Sequence, residues 1–113
     1  DDIHTVFKSV DYALSPYKYQ GGFVLMAEKD MQLLGAVVVN RTNMEGYVPG
    51  NLLTHLAINP LNTIRDVDKK LIKKAIELSI SDLAFHVSVD SPLIHLFEEV
   101  GFQKNYFEMR LKK

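Results

Sequence analysis

Apolar and polar positions change their spacing several times along the chain, and those changes mark its elements. Ile3, Val6, Phe7, Val10 and Leu14 recur at helical spacing, which predicts a helix over residues 3–14. Asp1 or Asp2 would cap its start, and Ser15-Pro16 would end it, because the residue before a proline disfavours helix. After the break at Gln20-Gly21-Gly22, residues 23–28 and 33–41 read as strands. The short connector Lys29-Asp30-Met31-Gln32 makes them an antiparallel hairpin. Residues 42–50 carry Asn43, Gly46, Pro49 and Gly50 and read as a surface loop, followed by a strand over residues 52–59 that Pro60 ends.

From residue 62 to 79 the pattern is helical again. Val67, Leu71, Ala75 and Leu78 share a face flanked by Ile64, Ile72 and Ile76, with Lys69, Lys70, Lys73, Lys74 and Glu77 mainly opposite. Residues 83–87 read as a short buried strand. Ser91-Pro92 opens a further helix, serine as N-cap and proline at the first helical position. Leu93, Leu96, Phe97 and Val100 face inward, and Gly101 stops the helix. Phe107, Met109 and Leu111 alternate with Tyr106, Glu108 and Arg110, which predicts a closing strand over residues 106–111. The resulting order, α-β-β-β-α-β-α-β, contains a strand-helix-strand unit that favours one parallel pair and hairpins that favour antiparallel ones. The expected fold is α/β (α+β): a mixed, mostly antiparallel sheet with helices on both faces.

Composition narrows the functional classes. The 113 residues suit one domain over 1–113 with a core of its own. A 47% hydrophobic and 24% charged composition is ordinary for a globular protein. The formal net charge of −1 lacks the basic excess of a nucleic-acid binder. The absence of cysteine excludes a disulfide framework, a thiolate metal site and a cysteine nucleophile, and fits a cytoplasmic, reducing setting. No apolar run approaches the roughly 18 residues of a membrane span, so no membrane partner is expected. The first residue is Asp1, as expected of a processed or trimmed chain with residues missing upstream.

Three stretches carry a resemblance. The first is Leu56-Ala57-Ile58-Asn59-Pro60 followed by a short loop and the helix through Lys69-Lys70-Leu71-Ile72. The second is His86-Val87-Ser88-Val89-Asp90-Ser91-Pro92 with Leu96-Phe97-Glu98-Glu99-Val100-Gly101-Phe102. The third is Asn105-Tyr106-Phe107-Glu108-Met109-Arg110. In this order and spacing, over residues 22–112, they resemble the GNAT superfamily of acyl-CoA-dependent N-acetyltransferases. The family's first strand is not evident, and the opening helix matches its second helix.

The resemblance implies a site. Backbone groups of Leu56, Ala57 and Ile58 would bind the pantetheine arm of acetyl-CoA and polarise the acyl carbonyl. The family's next loop reads Arg or Gln, two residues, Gly, one residue, Gly or Ala, and its amides cradle the pyrophosphate. Unpaired N–H groups and the positive end of a helix dipole favour an anion there. Here Thr63, Ile64, Arg65, Asp66, Val67, Asp68 and Lys69 span this loop, with Asp66 and Asp68 standing where the glycines would be. Each carboxylate about 6 Å from a phosphate charge costs roughly 1–3 kcal/mol, which Arg65, Lys69 and Lys70 would partly offset. Two readings stay open. Asp66 and Asp68 are helix-start residues, Thr63 and Asp66 forming a near capping box, or the loop is a remodelled phosphate site. Ser91 matches the family's asparagine at the later helix start. Phe97 matches its tyrosine, the general acid for the leaving thiolate, and has no proton to give.

For an amine acceptor, His55 on the strand beside the acyl site is the candidate general base, since histidine titrates near neutrality. Glu45 is a second candidate. Tyr12, Tyr17 and Tyr19 with Lys18 form an aromatic-basic cluster on the expected acceptor side. His4, His86 and His95 lack zinc-motif spacing, so no metal is expected. The expected activity is acetyl transfer from acetyl-CoA to a primary amine, of a small molecule or a peptide, by direct attack. The alternative is a catalytically degenerate GNAT-fold module for binding or dimerisation. A homodimer would cover an open sheet edge.

Overall fold

The computed structural model describes residues 6–11, 22–42, 44 and 48–113, with residues 6–11 described at the level of the backbone. Among the described residues five strands form one sheet in the order β1-β2-β3-β4-β5: β1 (Val6–Asp11), β2 (Gly22–Lys29), β3 (Gln32–Arg41), β4 (Asn51–Ile58) and β5 (Leu83–Phe85). Pairs β1–β2, β2–β3 and β3–β4 are antiparallel, and β4–β5 is parallel. The mixed, mostly antiparallel sheet is therefore as expected. Helix α1 (Val67–Leu78) makes the crossover between the parallel strands, and α2 (Leu93–Glu99) follows β5.

Phe23, Leu25 and Ala27 of β2, Val37 and Val39 of β3, and Leu53 of β4 alternate onto one buried face. Val67, Leu71, Ile72 and Ala75 of α1 cover it, and Phe97 of α2 extends the same core. Within this core the Phe97 ring stacks on Phe85 with centroids 4.3 Å apart and meets Phe102 edge-on at 5.0 Å. Aromatic pairs at such distances add about 0.5–1.5 kcal/mol beyond their burial.

The β2–β3 connection is a two-residue turn in which Asp30 (φ 50) and Met31 (φ 66) are both left-handed, the conformation that matches the twist of a hairpin. At Gly35 the absence of a side chain matters. An added methyl would lie 2.8 Å from Ile58 Cδ1, 2.9 Å from the Ala57 carbonyl oxygen and 3.1 Å from Leu71 Cδ1. Gly35 thus sets how closely α1 and the far end of β4 approach β3. Gly35→Ala is expected to cost about 1–3 kcal/mol through overpacking, read as a lower urea midpoint with unchanged m-value.

Several expectations are corrected. The predicted helix over residues 3–14 contains a strand, β1, so the sheet has a first strand that the sequence pattern hid. Pairing with β2 along Val6–Glu28 to Asp11–Phe23 outweighs the helical spacing, and Val6, Phe7 and Val10 are good strand formers. Helix α1 starts at Val67 rather than residue 62, because two Asx turns hold the preceding chain. Asn59 Oδ1 accepts from Leu61 N–H and Asn62 Oδ1 from Ile64 N–H, both at 2.9 Å. Thr63 and Asp66 form no capping box, since Asp66 makes no side-chain cap bond. β5 ends at Phe85 rather than residue 87. The closing strand over 106–111 is not formed: residues 102–113 belong to no strand, and Tyr106, Phe107, Met109 and Leu111 are exposed. The readings at His4, Tyr12, Ser15-Pro16, Tyr17, Lys18, Tyr19 and Glu45 fall outside the described residues.

Candidate active site

The site starts from an interruption in β4. Val38 pairs with His55 and Val39 with Leu53, so Thr54 is an extra residue on β4. Such a bulge bends the strand and re-aims its side chains. Thr54 and His55 are consequently both exposed, although neighbours on a regular strand point to opposite faces.

The bulge is held by side chains. Buried Asn40 donates through Nδ2 to Thr54 Oγ1 at 3.0 Å, and Thr54 Oγ1 donates to the Val38 carbonyl at 3.4 Å. His55 Nδ1 lies 3.1 Å from the same oxygen. With its proton given to Val38, Thr54 Oγ1 has only a lone pair to offer, so Nδ1 donates. The Nε2 of an exposed ring is then the nitrogen able to accept a proton.

Beyond the bulge β4 has no strand neighbour on its β5 side among the described residues. β5 pairs with it only from Asn51 to Leu53, whereas β3 pairs with it as far as Ile58. The backbone of residues 54–58 is therefore unpaired toward β5, and alternate N–H and C=O groups face the gap. Leu56 is half-buried and Ala57 and Ile58 are exposed along this edge. The starting point of the gap is fixed by buried Asn51. Its Nδ2 donates to Ser81 Oγ (3.1 Å), the Asp82 carbonyl (3.2 Å) and the Ser81 carbonyl (3.3 Å), and its N–H donates to the Asp82 carbonyl at 3.0 Å.

At the far end of this edge the β4–α1 loop is pinned by Asn59. Its Nδ2 donates to the Leu33 carbonyl and its N–H to the Leu34 carbonyl, each at 2.8 Å. Asp66, immediately before α1, has φ 61 and ψ 22. That left-handed conformation is glycine's, and aspartate is among the few other residues that adopt it readily. The backbone shape associated with a glycine is thus kept at Asp66 while the side chain adds a charge. The first-turn N–H groups of Val67 and Asp68 have no intrahelical acceptor. The Lys69 N–H is held by the Asp68 carboxylate at 2.8 Å, and the Ile64 N–H by Asn62. Asp68 therefore acts as an internal anion on the helix start. Lys69 is engaged by Glu99 of α2, whose hydrogen bond and charge raise the Lys69 pKa above its usual value. Arg65 is exposed and forms no ion pair among the described residues, so it is the loop's available cation, with Thr63 exposed nearby.

Two predicted residues are structural. Ser91 Oγ accepts from Leu93 N–H at 3.1 Å, although the N-cap position of α2 is Pro92 rather than Ser91, and Phe97 is buried against Phe85. The structure brings His55, Leu56, Ala57 and Ile58 onto one open edge that leads into the loop carrying Thr63 to Lys69. Sequence reasoning missed Thr54, Asn40 and Asn51. The consecutive polar pair Thr54-His55 inside an otherwise apolar strand was the available signal for the bulge. Among the described residues no group of three or more His, Asp or Glu side chains could hold a metal, and no helix is long and apolar enough to cross a membrane.

The strand order and the crossover give a GNAT-like fold. Solved structures agree. A Pyrococcus furiosus protein provisionally described as an acetyl transferase superposes with a TM-score of 0.72 at 17% identity. The aminoglycoside N-acetyltransferase AAC(6')-Iy in complex with CoA superposes at 0.64 and 16% identity. Each alignment covers 81% of this chain and 66% of the other, so the chain spans just under two thirds of the length of these proteins. No family model matches the sequence, and no curated protein matches it at the level of sequence.

Proposed function

We propose that the chain is an acetyltransferase that takes acetyl-CoA along the open edge of β4 and transfers the acetyl group to a primary amine. The observation that carries this reading is the gap itself. From residue 54 to 58 β4 is paired with β3 but unpaired on its β5 side, beside an exposed, oriented histidine and ahead of a helix start with unpaired amides. Donors along the edge at Leu56 to Ile58 would hold the thioester carbonyl and the oxyanion formed from it, a contribution of the kind that preorganised backbone amides supply. The amine nitrogen forms the new C–N bond as the C–S bond breaks. His55 Nε2 takes the proton that the amine loses. The thiolate leaves with its electron pair and is protonated by solvent, since Phe97 has no proton and a thiol with pKa near 8.5 is a tolerable leaving group. The acceptor is an amine of a small molecule or peptide, and the reaction suits a cytoplasmic setting.

Asp68 on the Lys69 amide favours a second reading, a GNAT-fold module whose phosphate site is closed by its own carboxylate. Titration calorimetry with acetyl-CoA, and with CoA as control, separates the two. Binding at micromolar Kd, about −8 kcal/mol, is expected for the transferase. Absence of heat up to millimolar cofactor would establish the module.

A further inference from the structure

Helix α2 reaches the start of α1 through one side chain. Glu99, the last residue of α2, pairs with Lys69 in the first turn of α1. Among the described residues no other ion pair joins the two helices. The helices stand on different sides of the gap. α1 covers β2, β3 and β4 through Leu71, Ile72 and Ala75. α2 follows β5, and its Phe97 stacks on Phe85 of that strand with centroids 4.3 Å apart. The Lys69–Glu99 pair therefore straps the β5–α2 unit to the helix start that lies beyond the far end of β4.

Carboxylates occupy both polar ends of Lys69. Asp68 accepts from its N–H at 2.8 Å, and Glu99 binds its ammonium group. The Glu99 hydrogen bond and charge raise the Lys69 pKa above its usual value, so the group is charged at neutral pH. Residues 63–70 carry Arg65, Lys69 and Lys70 against Asp66 and Asp68, an excess of one positive charge that Glu99 cancels. The Lys69 and Glu99 side chains are 33% and 56% exposed, and a pair so exposed is held weakly. A diphosphate brings more charge than one carboxylate. A lysine on its flexible four-carbon stem can turn toward it without moving the helix.

We infer that Glu99 is an internal competitor for the cofactor: its carboxylate holds Lys69 in the free chain and yields it to the phosphates of acetyl-CoA, which releases the end of α2 from α1. The inference rests on the transferase reading above and names a residue that sets cofactor affinity in the same site. Glu99 meets neither the acyl group nor the acceptor. It is a positioning residue that acts through Lys69, and the strap couples the hold on the β5–α2 unit to occupancy of the phosphate loop.

Titration calorimetry with acetyl-CoA on Glu99→Gln, Lys69→Gln and the double variant tests this. Glu99→Gln is expected to lower the Kd about three- to fivefold, the scale of an exposed charge pair, and the gain should shrink as salt rises. Lys69→Gln should raise the Kd by a similar factor. In the Lys69→Gln background, Glu99→Gln should change the Kd less than about twofold, because the two residues act as one coupled pair. A merely structural Glu99 would weaken binding when replaced, or act equally in both backgrounds. Either result, or an unchanged Kd in Glu99→Gln, overturns the inference and leaves the transferase reading standing. No heat from the unaltered chain or any variant overturns that reading and the inference with it. If a variant fails to fold, the unaltered chain still decides. The NMR signal of the Glu99 carboxyl carbon must shift as acetyl-CoA is added, and a signal that stays fixed at saturation overturns the inference.

Discussion

Replacing Asp66 by glycine and Asp68 by alanine in one chain is expected to strengthen CoA binding by roughly tenfold to a hundredfold, about 1.4–2.8 kcal/mol. Three effects act in one direction. Removing Asp68 frees the Lys69 N–H, which its carboxylate holds at 2.8 Å, so a further first-turn amide becomes available to an anion. Removing both carboxylates ends a repulsion of roughly 1–3 kcal/mol each toward a diphosphate, at distances near 6 Å and dielectrics from 20 to bulk water. Glycine also suits φ 61 at position 66 at no steric cost. Because these carboxylates sit at the surface, the gain should shrink as salt rises. Calorimetry at two ionic strengths reads the whole effect. An unchanged Kd for the double variant would mean that the pyrophosphate does not meet this helix start, and with it the proposed path of the cofactor would be wrong.

The second large effect is expected at His55. His55→Ala should lower kcat with an amine acceptor by at least about 10²-fold, the lower range of general-base catalysis, while leaving the CoA Kd unchanged. The ring is exposed and its recorded partner is Thr54 Oγ1, so the melting temperature should hardly move. Thr54→Val should act in the same sense and more weakly, because it removes the acceptor that fixes Nδ1 as the donor and also loosens the bulge that Asn40 supports. Release of free CoA over a panel of primary amines measures both variants. Full activity in His55→Ala would place the base elsewhere.

The parts of the fold legible in the sequence are those governed by local chemistry. Alternation gave β2, β3 and β4, Ser91-Pro92 placed the start of α2 to within one residue, with Pro92 rather than Ser91 at the N-cap position, and Gly101, at φ 108, marked its end. β1 was hidden because Val6, Phe7 and Val10 satisfy a helical spacing as well as a strand, and only pairing with β2 chooses between them. The segment over 106–111 reads as a strand by its alternation, yet a strand exists only with a partner, and its sequence does not say which edge supplies one. Within the site, the edge at Leu56 to Ile58 and the loop at Thr63 to Lys69 were legible through resemblance. The left-handed turn at Asp66 and the Asp68 contact depend on backbone conformation that two substituted glycines concealed. Asn40 and Asn51 were missed for a different reason: a polar side chain inside a strand reveals its role only once the partner across the sheet is known.

The short pairing of β5 has a consequence for motion. The β1-to-β4 meander joins neighbours in sequence, so its contacts are local and form without closing long loops. Among the described residues β5 is the one strand that reaches its place through a crossover, and it is tied to β4 over three residues. Stability is not uniform across such a sheet, and the strand with the fewest ladder bonds opens at a fraction of the global unfolding free energy. One wall of the gap is therefore the continuous meander and the other is its most easily released element. The width of the opening can vary by fraying at β5 while the core beneath α1 stays folded, so that admission to the cleft is governed by a local equilibrium at the sheet's last strand.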